Sequence, residues 1–160
     1  MPRETYREFI DRKLTAIDEH IVNGGSSGGT FAFNLNYPDD NHISGDDTSF
    51  NIVTFTATAN TTITLSNMVS ETNTGADDGY IKIDPSNGTP VITMLPRNTA
   101  TPINDAAVSL STGDTLSVVA GFNNSHTNCY FEWSGSVTIE GSAVINVDTP
   151  YLQIAPITTP

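Results

Sequence analysis

The stretch Thr30-Phe31-Ala32-Phe33-Asn34-Leu35-Asn36-Tyr37 alternates large apolar side chains with polar or small ones. A period of two is typical of a β-strand with one buried face, because successive side chains of a strand point to opposite faces. The residues Pro38-Asp39-Asp40-Asn41 follow directly and have turn chemistry. This succession of a short strand and a polar turn continues to the end of the chain and decides the fold.

Further short runs rich in β-branched and aromatic residues are bounded by Gly, Asn, Asp, Ser or Pro. They predict strands over residues 50–56, 61–65, 79–83, 90–95, 107–110, 116–122, 129–133, 136–139, 143–147 and 151–154. About ten short strands without helical periodicity indicate a mainly β domain over residues 30–160. We expect an antiparallel β-sandwich that is jelly-roll-like.

The amino-terminal segment has a different pattern, with apolar residues spaced four, three and four apart. This is the spacing of a heptad seam, so residues 1–23 are expected to contain an amphipathic helix, followed by a flexible Gly/Ser linker over 24–29. A helix this short is marginal alone in water, and we expect it to pack against copies of itself or a partner protein. The alternative is that it packs on its own domain. The stripe assigned to oligomerisation and anchoring consists of Tyr6, Ile10, Leu14, Ile17 and Ile21.

The charge of the chain is unevenly distributed. The formal net charge is −12, and four of the six basic residues lie in the first 23 positions. Only Lys82 and Arg97 follow. An acidic body of this kind repels nucleic acid and anionic membranes, so neither is an expected partner. The basic residues expected to contact an acidic or neutral surface such as a capsid are Arg3, Arg7, Arg12 and Lys13.

Cysteine usage and hydropathy limit the class of protein. Cys129 is the only cysteine, which excludes an intramolecular disulfide. The sequence has no recognisable signal peptide and no long apolar run, so we expect no membrane span and assembly in the cytoplasm.

Motifs for catalysis are weak. No nucleophile elbow, phosphate loop or dinucleotide fingerprint occurs. His42 lies near several aspartates, but the spacing matches no zinc or calcium loop, and turn-forming Asp and Asn explain it equally well. Asp77-Asp78 and Glu132 would pair as acids for glycoside cleavage only if the fold brought them together. We therefore expect no enzymatic activity, metal ion or cofactor, with a hydrolase subunit as the least favoured alternative.

Three motifs occur in order in the second half of the chain. Residues 79–83 read GYIKI, residues 110–118 read LSTGDTLSV, and residues 131–139 read FEWSGSVTI. In this order and spacing the chain resembles the trimeric jelly rolls of the complement globular-head and tumour-necrosis-factor-like superfamily. The resemblance implies that Tyr80, Val118 and Trp133 occupy positions in the core or near a threefold axis of a trimer.

The arrangement of helix, glycine linker and acidic β head also resembles a phage head fibre or capsid decoration protein. This resemblance implies a homotrimeric structural protein of the virion, anchored on the major capsid protein or another shell protein by its amino-terminal helix. The alternative is a carbohydrate-binding or adhesive β-sandwich head, whose exposed aromatic side chains and acidic loops contact a host glycan.

Overall fold

The computed structural model describes residues 27–37, 49–73, 79–122 and 130–157. These residues form ten β-strands and, within the described ranges, no helix. The strands are β1 (Ser27–Tyr37), β2 (Ser49–Ala57), β3 (Thr61–Thr72), β4 (Gly79–Pro85), β5 (Val91–Leu95), β6 (Thr101–Ile103), β7 (Ala106–Leu110), β8 (Thr115–Phe122), β9 (Phe131–Val147) and β10 (Leu152–Pro156). The expected amino-terminal helix, with its apolar stripe and its basic residues, lies outside the described residues.

The prediction of a mainly β chain is confirmed for the described residues. Alternation along the strands sets their buried face: Phe33 and Leu35 of β1 are buried, whereas Ala32 and Asn34, which alternate with them, are exposed. Strand β1 begins at Ser27, so residues 27–29, which the sequence assigned to the linker, belong to the strand.

All strand pairs are antiparallel, and the sheet curls into half a barrel. The order is β10-β1-β9-β2-β8-β4-β5, with β3 also paired to β9 and with β6 and β7 paired to β3. Buried side chains from all parts of this sheet meet in one hydrophobic core. Each fully buried Phe, Leu, Ile or Val side chain contributes about 1.5–3 kcal/mol, so this shared core is what holds the curled sheet together.

Strand β9 connects the two parts of the sheet. Its first part pairs with β1 and β3, and from Ala143 onward it pairs with β2. Gly141, with a φ of 122°, lies where the partner changes. A Cβ at this position would lie 2.6 Å from the carbonyl oxygen of Asn60, so only glycine fits the bend. The sequence predicted three separate strands here, and that prediction is wrong: residues 131–147 form one long strand.

The turn between β7 and β8 lies between the two strands that the sequence predicted over residues 107–110 and 116–122. Gly113 has a φ of 92°, which is the conformation that glycine tolerates in a tight turn. Asp114 closes the turn, because its Oδ2 accepts a hydrogen bond from the backbone N–H of Ser111 at 2.9 Å. The same oxygen accepts from Nδ2 of Asn87 at 3.1 Å, which ties the turn to the connection after β4.

Candidate functional site: the outer face of strands β4 and β5

Strand β5 forms one end of the sheet and exposes large apolar side chains. Among the described residues it pairs with β4 alone. Val91 is 57% exposed, Ile92 56% and Met94 41%. An edge strand presents a row of backbone N–H and C=O groups, and exposed apolar side chains on it are typical of a site of association.

The strand register places part of this apolar surface beside Tyr80. Met94 lies opposite Tyr80 and Ile92 opposite Lys82, while on the other side of β4 Val119 lies opposite Lys82. Residues directly opposite each other in antiparallel strands lie on the same face of the sheet. We call the set Tyr80, Lys82, Ile92, Met94 and Val119 the β4–β5 face.

Two observations show that part of this face, around Val119 and Tyr80, is packed within the chain. Val119 is only 6% exposed, yet it does not join the core cluster to which its neighbours Val118 and Ala120 belong. Gly121 lies opposite Tyr80, and a Cβ at Gly121 would overlap Cζ and the hydroxyl oxygen of Tyr80. The Tyr80 ring therefore lies across the backbone of Gly121, and the glycine makes room for it.

Electrostatics distinguish the β4–β5 face from the rest of the body. Lys82 Nζ lies 3.2 Å from Asp84 Oδ2, an ion pair that contributes little because both groups are partly exposed. Lys82 and Arg97 are the only basic residues after Lys13, and Arg97 follows β5 by two residues. The β4–β5 face and its margin thus carry the cations of an otherwise acidic body. Asp84 offsets part of the Lys82 charge, so the two cations lower the repulsion of an approaching acidic surface only locally.

The three residues singled out by the resemblance differ in position. Trp133 is 1% exposed and stacks on Phe33 with ring centroids 3.8 Å apart, and Val118 is fully buried. Both side chains are covered within a single chain. Tyr80 is half-buried and belongs to the β4–β5 face, so it alone of the three presents surface to a neighbouring molecule.

Of the residues weighed for catalysis or metal binding, only Glu132 lies within the described structure. Glu132 is exposed on β9, while its expected partners Asp77 and Asp78 lie outside the described residues, as do the three histidines and Cys129. Among the residues that the structure describes, no group of three or more His, Cys, Asp or Glu side chains is placed to hold a metal ion.

Tyr130, next to β9 and near Glu132, has a raised pKa. The hydroxyl of Tyr130 donates a hydrogen bond to Glu71 Oε1 at 2.6 Å. This bond, together with burial and the negative charges of Glu71 and Glu132, raises the pKa of Tyr130 to about 12. Because the phenol stays protonated at neutral pH, it joins β3 to the start of β9 as a hydrogen-bond donor.

Neither a protein-family model nor a curated protein matches the chain. Over the described ranges, the structure contains no helix that is long and apolar enough to cross a membrane.

Proposed function

We propose that the chain is a non-enzymatic structural protein of a virion, a homotrimeric head fibre or capsid decoration protein. Its amino-terminal segment, residues 1–23, anchors it on the major capsid protein or another shell protein, and its acidic β head faces solvent. It assembles in the cytoplasm of the host cell and resides on the capsid surface. In this proposal the curled sheet is a jelly-roll-like sandwich, in which the two parts joined by β9 face each other across the core.

The observation that carries the proposal is the exposed β4–β5 face. Ile92 and Met94 leave much of their apolar surface in water, next to a half-buried Tyr80 and an edge strand. A second copy would cover that surface and replace water there. The acidic charge of the β body opposes contact between copies, and Lys82 in the face and Arg97, two residues after β5, reduce this repulsion there.

A trimer follows if each copy places its β4–β5 face against an acidic surface of the next copy. Such a head-to-tail contact closes into a ring when the rotation between copies is 120°. Three amino-terminal segments are then held together, and they gain avidity for a shell without a tight single site. The heptad spacing of Ile10, Leu14, Ile17 and Ile21 is compatible with three strands and supports the same symmetry.

The test compares two matched substitutions in the full-length chain. Ile92→Asp places a negative charge in the β4–β5 face, where it would repel the acidic surface of the next copy, whereas Ile157→Asp makes the same change at another exposed isoleucine, which is 46% exposed after β10. Sedimentation at micromolar concentration should give a smaller assembly for Ile92→Asp and leave Ile157→Asp like the unmodified protein. If both variants remain equally assembled, the trimer forms through another surface. If the unmodified protein is a monomer, the proposed function itself fails.

A further inference from the structure

A cleft opens on the surface where β1, β2 and the connection from β9 to β10 meet. Its volume is about 540 Å³, which is large enough for a sugar residue. The cleft lies apart from Ile92 and Met94 and combines aromatic with polar side chains. It is lined by Tyr37, Phe50, Asn51, Asp148, Thr149, Pro150 and Tyr151.

The aromatic rings of the cleft are fixed by the core behind them. Tyr37 stacks on Phe50 with ring centroids 4.7 Å apart, and Tyr151 meets Tyr37 edge-on at 5.1 Å. Phe50 in turn packs edge-on against the fully buried Phe131 at 6.3 Å. The rings of Tyr37 and Tyr151 are therefore held in place before a ligand binds, while both stay partly exposed. Rings with one apolar surface and one polar tip are suited to a ligand that is apolar on one face and hydroxylated at its edge.

The polar side of the cleft is also held by hydrogen bonds. Asp148 Oδ2 accepts from Oγ1 of Thr54 at 2.8 Å, and the Asp148 backbone N–H donates to the carbonyl oxygen of Ile52 at 3.0 Å. The carbonyl oxygen of Tyr151 accepts from the backbone N–H of Asn36 at 3.2 Å. An ionised carboxylate accepts several hydrogen bonds, so the bond from Thr54 leaves Asp148 with capacity for ligand hydroxyls.

The negative charge of the cleft favours neutral ligands over anionic ones. The Asp148 carboxylate and the acidic body disfavour an anionic ligand. Burial, and then the proximity of Tyr151, raise the pKa of Tyr37, so its phenol stays protonated at neutral pH. The cleft thus offers apolar ring faces, a carboxylate acceptor and the amide of Asn51, which donates and accepts.

We propose that this cleft binds a neutral saccharide, a property that goes beyond the structural role. The apolar C–H face of a sugar ring lies against the aromatic rings of Tyr37 and Tyr151. The hydroxyl groups of the sugar donate hydrogen bonds to the Asp148 carboxylate. They also accept from, and donate to, the side-chain amide of Asn51. A trimer would present three such clefts, so weak single-site binding is strengthened by multivalency.

The test uses the full-length protein on an array of neutral and sialylated oligosaccharides, followed by titration of each oligosaccharide that binds. Asn51→Ala and Asp148→Asn should each weaken binding by roughly tenfold or more, since the first removes a polar partner of the ligand and the second replaces a charged acceptor with a weaker neutral one. Asn104→Ala and Glu140→Gln are the matched controls; both residues are exposed outside the cleft and should leave binding unchanged.

The outcomes separate this proposal from the structural one. Binding of neutral oligosaccharides that is lost in the cleft variants, with urea midpoints like that of the unmodified protein, supports the site. Binding of none of them, binding of sialylated oligosaccharides alone, or equal losses in the control variants would overturn it. Solution mass is measured on the same samples, so a monomer that binds sugar, or a trimer that does not, refutes only one of the two proposals.

Discussion

The bend in β9 at Gly141 is a position where a single added methyl group should destabilise the fold. In Gly141→Ala the new Cβ would lie 2.6 Å from the Asn60 carbonyl oxygen and 2.9 Å from Cα of Thr61. Both are backbone atoms, so neither can rotate away. Thr61 Oγ1, another close neighbour at 2.7 Å, accepts a hydrogen bond from the Ser142 N–H at 2.9 Å and is fixed as well.

The magnitude follows from comparison with Gly113, which also has a positive φ but has no atom within 4 Å of an added Cβ. Gly113→Ala incurs only the backbone cost of about 1–3 kcal/mol, reduced by about 0.4–1 kcal/mol through the lower entropy of the unfolded chain. Gly141→Ala incurs the same terms and adds an overpacking cost of about 1–3 kcal/mol. We expect it to be the more destabilising change by at least about 1 kcal/mol.

Urea denaturation of both variants, at one protein concentration because assembly contributes to stability, measures this difference directly. For a chain of this length each kcal/mol corresponds to about 2–4 °C in Tm. A Gly141→Ala variant that is as stable as Gly113→Ala would refute the reasoning, because β9 would then not need a tight bend where it changes partners.

Three further predictions follow. Tyr130→Phe should lose less stability than the unmodified protein at alkaline pH. The pKa of Tyr130 is raised in the folded state, so this tyrosine stabilises the fold fully below pH 10 and loses that contribution as the pH rises toward about 12. Urea midpoints between pH 9 and 12 measure it, and identical profiles for both proteins would contradict it. Asp114→Ala should lower the free energy of unfolding by about 1–2 kcal/mol, because the turn N–H loses its carboxylate acceptor, and Asp114→Asn should lose less. Leu14→Asp combined with Ile17→Asp should release the protein from its shell, as measured by co-sedimentation, while the circular dichroism of the β body stays unchanged; retention on the shell would refute the anchoring role.

The strand pattern was predictable wherever alternation was regular. The stretch 30–37 has one apolar face, and β1 covers it and extends to Ser27. Strand β9 was not predictable as one strand, because Ser134-Gly135 and Gly141-Ser142 have the composition of turns although the chain continues through them. Strand β6 was missed because it has only three residues and Pro102 at its centre, which suits an edge position.

The candidate sites were predictable only in part. The Gly-Tyr pair at the start of β4 drew attention to Tyr80, and the structure places Ile92 and Met94 beside it. The sequence does contain a signal for Ile92 and Met94. In residues 91–95 apolar side chains occur on both faces of the strand, and this pattern is typical of a strand that is covered on both sides. The cleft combines side chains from residues 37, 50–51 and 148–151, and only the pairing of distant strands brings them together.

In the proposed trimer, the exposed β4–β5 face of each copy is covered by the next copy. Sedimentation equilibrium of the unmodified full-length protein, over a range of micromolar concentrations, tests it most directly. We expect a species with three times the 17.1 kDa mass of one chain. A single species at the mass of one chain throughout that range would contradict it.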